Sequence, residues 1–342
     1  MVMTKTPFRM SFFGGGTDIE DYFFSNGGAV LSTSFDKYCY IEVRHLPRFF
    51  EYKTELIYNK TERVNDIDEI EHPLIRNGMK MLDMHNIRLS YDADLPARSG
   101  LGTSSSFAVG MLNAFHALKG TYADKKRLAN EAIILERRMC KESGGWQDQI
   151  ATAYGGLNRI DFDSDGFHVK KIILPKERKQ ELDNNLIMFF TGFTRLSSDI
   201  QKANNICSCE TKKSILSEMR GMVDEAEEIL SNKNCPLDDF GKLLGKSWEL
   251  KRKTGEAVTT SAIDEFYERG IKAGAIGGKL LGAGGGGFLI FYVPDERRDN
   301  VCNELQDLMR IPFHFESNGS EVIYFEPEEY EIHPHKHNIK KN

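Results

Sequence analysis

Long apolar runs are missing from this sequence. No window approaches the roughly 20 apolar residues that a bilayer-spanning helix requires, and Met1 to Arg9 contains no apolar core of a secretory leader. A cytoplasmic address with no membrane partner is therefore expected. Cysteine is sparse as well. The six (Cys39, Cys140, Cys207, Cys209, Cys235, Cys302) are scattered, and the close pair Cys207 and Cys209 has no second pair to complete a zinc site, so reduced thiols are expected. Charge of one sign is scarce: the net charge of -6 is spread along the chain, and nothing favours nucleic acid. Two further absences narrow the chemistry. The phosphate loop Gly-x-x-x-x-Gly-Lys-Ser/Thr occurs nowhere, because Gly278-Lys279 is followed by Leu280. The nucleophile elbow Gly-x-Ser-x-Gly is missing too, since Ser106 stands where its second glycine should be.

What is present is an ordinary globular composition, 40% hydrophobic and 28% charged, over 342 residues. That length exceeds the usual single core and predicts two domains side by side. Apolar, β-branched runs at 9–13, 29–35, 38–44 and 88–95 read as strands of one sheet. The stretch 103–119 is apolar nearly all round and reads as a buried helix, followed by a second helix over about 124–142. The charged stretch 175–185 has no apolar periodicity and is the expected domain boundary. Beyond it, helices near 198–205, 212–231, 237–254, 261–272 and 295–309 alternate with strands at 186–190, 275–281, 288–293, 311–315 and 322–325, an α+β second half. Residues 331–342 read as a polar tail. Its His333, His335 and His337 could bind a metal, but a solvated tail accounts for them more simply.

Three glycine-rich segments carry the chemistry. In Leu95-Pro96-Ala97-Arg98-Ser99-Gly100-Leu101-Gly102-Thr103-Ser104-Ser105-Ser106, a strand leads through glycines into a buried helix. Glycines let backbone approach a phosphate, and the unpaired amides and dipole of the first helical turn favour negative charge there. Read alone, the segment is equally a tight turn capped by Thr103. Gly282 to Gly287 satisfies Gly-x-Gly-x-x-Gly, but the run 288–293 that follows is a strand rather than the helix a dinucleotide site needs. Five glycines in six positions imply that another backbone or a ligand comes very close. The third segment, Pro7 to Asp18, is a strand ending in Gly14-Gly15-Gly16-Thr17-Asp18, with Arg9 and Asp18 at its two ends.

In this order, the three segments resemble the motifs of the galactokinase, homoserine kinase, mevalonate kinase and phosphomevalonate kinase superfamily, the GHMP kinases. Pro96, Gly100, Leu101, Gly102, Thr103 and Ser104 fall on that family's Pro-x-x-x-Gly-Leu-Gly-Ser-Ser, with threonine for the first serine. The resemblance spans nearly the whole chain. It implies an α+β, two-domain fold: an N-terminal ribosomal-protein-like α/β sandwich over 1–180, with a left-handed crossover, and a C-terminal ferredoxin-like domain over 181–330. ATP and Mg2+ would lie between them. It also implies that Pro96 and Ser99 to Ser106 bind ATP. Gly144-Gly145-Trp146-Gln147-Asp148-Gln149 looks like the segment carrying the catalytic aspartate, making Asp148 the base and Arg9 its partner in catalysis. Glu136, in an apolar run where an unpaired carboxylate is costly, would join Ser104 on magnesium; a half-exposed Glu136 paired to a neighbour remains the alternative.

The acceptor segment departs from the family. Phe8 replaces a glycine, and Gly15 and Gly16 stand where galactokinases have Glu-His. Gly-Gly-Gly-Thr-Asp here resembles the bacterial D-glycero-D-manno-heptose 7-phosphate kinases, which phosphorylate the anomeric hydroxyl on the route to GDP-heptose. Arg9, Gly14, Gly15, Gly16, Thr17, Asp18, Arg195, Gly284 and Gly285 would then bind a small-molecule sugar phosphate. Arg9, Lys37, Arg98, Arg195 and Lys202 are candidates for its distal phosphate. Arg195 equally suits a pairing with Asp199. A 1-kinase for a free hexose such as fucose or galactose, or a silent sugar or nucleotide sensor, is the alternative. A homodimer is compatible with the sequence, which leaves the oligomeric state open.

Overall fold

The computed structural model describes residues 1–47, 49–97, 99–192, 209–255, 258–282 and 284–327. Arg98, Arg195, the expected helix near 198–205, Lys202, Cys207, the Cys209 side chain and the tail 331–342 lie outside the described residues. Alternation sets the first strand: Val2, Thr4 and Thr6 of β1 (Val2–Phe13) are buried while Met3 and Lys5 are not. From Phe8 both faces of the strand are covered. After α1 (Glu20–Asn26), β2 (Gly28–His45) runs antiparallel to β1. The two expected strands 29–35 and 38–44 are this single strand. Its register against β1 shifts between Pro7 and Phe8, where proline has no N–H to give the ladder. A hairpin, β3 (Thr54–Ile57) and β4 (Thr61–Val64), and helix α2 (Pro73–Met81) precede β5 (Ile87–Ala93).

Helix α3 (Thr103–Leu118) is buried nearly all round, as its composition predicts. It packs on β1 and β2, so closely at Gly110 that a Cβ there would come within 2.8 Å of the Thr6 hydroxyl. The next helix is not uniform. α4 (Lys125–Ile133) widens into a π-turn over Ile134–Met139, a feature common where a helix must re-aim a side chain. α5 (Gln147–Tyr154) and the hairpin β6 (Asn158–Asp163) and β7 (Gly166–Lys171) follow. The stretch 175–185, read as the domain boundary for want of apolar periodicity, carries α6 (Lys176–Asn184). Among its residues only Leu182 is buried, so a single anchor replaces the apolar stripe that periodicity looks for.

The second half begins at β8 (Leu186–Phe190) and continues through α7 (Cys209–Ser231), α8 (Asp238–Arg252), α9 (Ser261–Lys272), β9 (Gly277–Leu280), β10 (Phe288–Tyr292), α10 (Arg298–Glu304) and β11 (Met309–Ile311). Its sheet is antiparallel, in the order β11-β8-β10-β9. The chain then returns: β12 (Phe315–Glu316) and β13 (Glu321–Phe325) pair with β2 and β1 of the first sheet, not with the second. That sheet runs β13-β1-β2-β5-β3-β4, with β6 also on β2. The halves meet through aromatic contacts. Phe240 of α8 stands edge-on to Phe12 and Phe13 at 5.3 and 5.1 Å, and α7 packs on β1 and β2. Cys39, Cys140, Cys235 and Cys302 are free thiols.

Candidate active site

The turn before α3 depends on two left-handed glycines, Gly100 (φ 81°) and Gly102 (φ 72°). Gly102, not Thr103, is the residue that begins the helix, and no side chain caps it. The N-cap residue thus offers no side-chain acceptor to the amides that open the helix. The hydroxyls that follow differ. Ser106 donates to the Pro7 and Gly102 carbonyls, at 3.0 and 3.1 Å, and is wholly buried. Ser105 donates to Glu136 Oε2 at 2.7 Å. Ser104 donates to Glu136 Oε1 at 2.9 Å and is solvent-exposed. Ser99 is fully buried, and its Oγ has no hydrogen-bond partner among the described residues.

The π-turn puts Glu136 under this helix start, 1% exposed. Three neutral donors meet its carboxylate, from Ser104, Ser105 and the Gln149 amide, and no cation among the described residues ion-pairs with it. A buried carboxylate without a counter-charge, beside an exposed hydroxyl, is a fitting pair of hard oxygen donors for a divalent cation. The alternative of a half-exposed, ion-paired Glu136 is not what forms.

Asp148 lies in the first turn of α5, and Arg9 reaches it from β1. Nε donates to Oδ1 and Nη2 to Oδ2, each at 2.8 Å, a two-pronged pairing that fixes the carboxylate plane. Nη1 donates to the Gly100 carbonyl at 2.7 Å, and the Arg9 amide to the Leu101 carbonyl at 3.0 Å. One arginine therefore ties the aspartate to the glycine turn. Arg9 is buried, whereas the Asp148 side chain keeps 27% of its surface exposed, open to an incoming group.

At the third segment the donors are used internally. Thr17 Oγ1 donates toward the Gly14 and Ala29 carbonyls and accepts from the Ala29 amide. Asp18 accepts from the Gly16 amide at 2.9 Å and the Gln147 amide at 3.1 Å, and Gly145 must lack a side chain because a Cβ would sit 2.0 Å from Asp18 Oδ2. Burial, then the Asp148 charge, raise the Asp18 pKa above the usual carboxylate range. The three glycines have different reasons: a Cβ on Gly14 would strike the Ala29 carbonyl and Gly16 has φ 98°, whereas a Cβ on Gly15 would make an ordinary contact with Ser11 Oγ at 3.6 Å.

The run 282–287 answers which partner comes close: it is backbone. A Cβ on Gly282 would fall 2.3 Å from Gly100 Cα, and one on Gly287 2.3 Å from the Ser99 carbonyl. Gly284 abuts Val258, and the Gly285 amide donates to the Val258 carbonyl at 3.0 Å. Of the distal-phosphate candidates, Lys37 bonds its neighbour Asp36 and Arg9 holds Asp148. Sequence reasoning missed Gln149, Gly145 and two lysines, Lys251 and Lys279. Lys279 left a signal, a lysine inside a glycine- and leucine-rich strand; Lys251, on an amphipathic helix, left none.

The chain is similar to known proteins over most of its length. Residues 71–156 match the GHMP kinases N terminal domain and residues 233–311 the GHMP kinases C terminal domain. A D-glycero-alpha-D-manno-heptose 7-phosphate kinase of Campylobacter jejuni is 28% identical over 331 residues, covering 89% of this chain and 93% of the relative. A galactokinase of Pyrococcus furiosus is 24% identical over 337 residues, 88% and 91% of the two chains. Among solved structures, a D-glycero-D-manno-heptose 1-phosphate kinase from Bacteroides thetaiotaomicron shares the fold with a TM-score of 0.78 at 23% identity, over 95% of this chain and all of that one. Among the described residues no helix is long and apolar enough to cross a membrane. Both halves match in order, around a glycine turn, a buried glutamate and an arginine-held aspartate: the chain belongs to the GHMP kinases and is an ATP-dependent sugar kinase of that family.

Proposed function

We propose that the chain transfers the γ-phosphoryl group of ATP to the anomeric hydroxyl of a heptose 7-phosphate, giving the 1,7-bisphosphate. The observation that carries the reaction is the Arg9–Asp148 pair tied to Gly100. ATP phosphates rest on the backbone of Gly100 to Ser104 and the first-turn amides of α3, with Ser99 Oγ as a spare donor. Asp148 takes the proton of the acceptor hydroxyl as its oxygen bonds to phosphorus and the bond to the β-phosphate breaks, releasing ADP. Arg9 keeps both carboxylate oxygens oriented and adds positive charge where negative charge gathers. Ser104 and Glu136 would hold Mg2+, which when bound neutralises phosphate charge.

Two features support this acceptor: the similarity to a heptose 7-phosphate kinase over nearly the full length, and the glycine at position 15, which adds no side chain beside Ser11 Oγ. The galactokinase relative favours a free hexose as the second reading. The intact Arg9–Asp148 pair counts against a silent sensor. Comparing kcat/KM for heptose 7-phosphate, galactose and fucose tests the choice. A clear preference for the phosphorylated sugar is expected, and equal or better turnover of a free hexose would overturn it.

A further inference from the structure

Lys251 and Lys279 are cleft charges that neither Asp148 nor Glu136 accounts for. Lys279, on β9, is 3% exposed, and its Nζ donates to the Phe12 carbonyl at 2.6 Å, just before β1 turns into Gly14. Lys251, one residue from the end of α8, is half-buried and donates to the Gly282 carbonyl. Gly282 lies against Gly100, whose carbonyl receives Arg9 Nη1. Lys251 therefore stands at the contact between the two glycine turns, on the side where Arg9 holds Asp148.

Among the described residues both lysines bond only carbonyls, and the charges bearing on them are positive. Burial, then Arg9, push Lys251 down to about 8, and burial, then Lys251 and Arg9, hold Lys279 well below the usual ammonium range. Cations gathered in a partly desolvated place without a counter-charge are costly, and an anion arriving among them relieves that cost.

We propose that Lys251 is a phosphate-binding residue of the transfer centre, its ammonium donating to a non-bridging oxygen of the γ-phosphoryl group, with Lys279 as the positioning residue that ties β9 to the end of β1. This rests on the reaction proposed above but not on the identity of the sugar. Lys251 keeps its proton throughout: the bond to the β-phosphate breaks, the bond to the acceptor oxygen forms, and the acceptor proton goes to Asp148. A preformed cation beside the transferring group stabilises the charge that collects on its oxygens.

The test compares ADP with the β,γ-imido analogue of ATP, both with magnesium, by titration calorimetry on the wild-type protein, Lys251→Met and Lys251→Arg. The Met variant should bind ADP as tightly as the wild type but the analogue about tenfold more weakly, with kcat lowered ~10²-fold; Arg should restore part of both. A Met variant with wild-type kcat and an unchanged ratio of the two affinities overturns the proposal, as does equal weakening of both ligands. A readout on the unaltered protein guards against a variant that does not fold. There the ratio of analogue to ADP affinity should fall as pH rises through about 8, since the groups facing Lys251 are Arg9, itself bonded to Asp148, and Lys279. A flat ratio overturns the proposal. Nucleotide titration needs no acceptor, so failure of heptose 7-phosphate as substrate would leave this test intact.

Discussion

The glycine turn at Ser99–Ser104 and the glycine turn at Gly14–Asp18 are built from similar residues, yet they leave different things free. The first presents an uncapped helix start, an unpartnered Ser99 hydroxyl and an exposed Ser104. In the second, Thr17 bonds two carbonyls and an amide, and both Asp18 oxygens accept backbone N–H groups. On the proposed function, the first turn would hold a ligand with groups it does not need for folding. The second holds itself, and on that proposal would contribute to the acceptor site chiefly through its backbone shape. Changes at the first should remove chemistry and spare the fold, and changes at the second should do the reverse.

The sharpest break of that contrast is Asp148→Ala, which should lower kcat ~10³-fold with ATP affinity kept; a melting temperature several degrees below wild type would show that the pair is structural instead. Glu136→Gln should cost about 10²-fold in kcat and raise the magnesium concentration needed for half-maximal rate. An unchanged magnesium titration would remove Glu136 from the metal site. At the other turn, Thr17→Val leaves the buried Ala29 amide unpartnered and should cost about 1–3 kcal/mol in denaturant unfolding, with kcat per folded molecule lowered less than by either carboxylate change.

The smallest effect concerns Lys251. Its folded pKa of about 8 lies below the ordinary lysine value of 10.5, so the folded state binds its proton less readily than the unfolded chain. That destabilises the protein below pH 8 and is relieved as pH rises from 8 toward 10.5. Lys251→Met should therefore melt no lower than wild type at pH 7, with its relative advantage shrinking above pH 8. A variant less stable at pH 7 would assign Lys251 a structural role.

The sequence made the Gly100–Ser104 turn legible because strand, glycines and helix are contiguous there, and it singled out Glu136 by its apolar run and Asp148 by the family resemblance of its segment. What it could not show was who meets whom. Gln149 and Ser105 both approach Glu136 because a π-turn, invisible to periodicity, shifts that side chain, and Gly145 is glycine on account of Asp18, over a hundred residues away. The glycine run at 282–287 was read correctly as a close approach, but only folding reveals that Ser99 and Gly100 are the backbone it meets. Helix α6 was missed because Leu182 alone anchors it, and the return of β12 and β13 to the first sheet follows from long-range pairing that no local pattern encodes.

The central claim is transfer to an anomeric hydroxyl from ATP held at Gly100 to Ser104, and phosphorus NMR of a reaction with ATP, magnesium and heptose 7-phosphate tests it most directly. The account predicts a new anomeric phosphate signal, coupled to the sugar's anomeric proton, appearing in step with ADP. Accumulation of ADP and orthophosphate alone, or the same rate of sugar phosphate formation with Asp148→Ala, would contradict it.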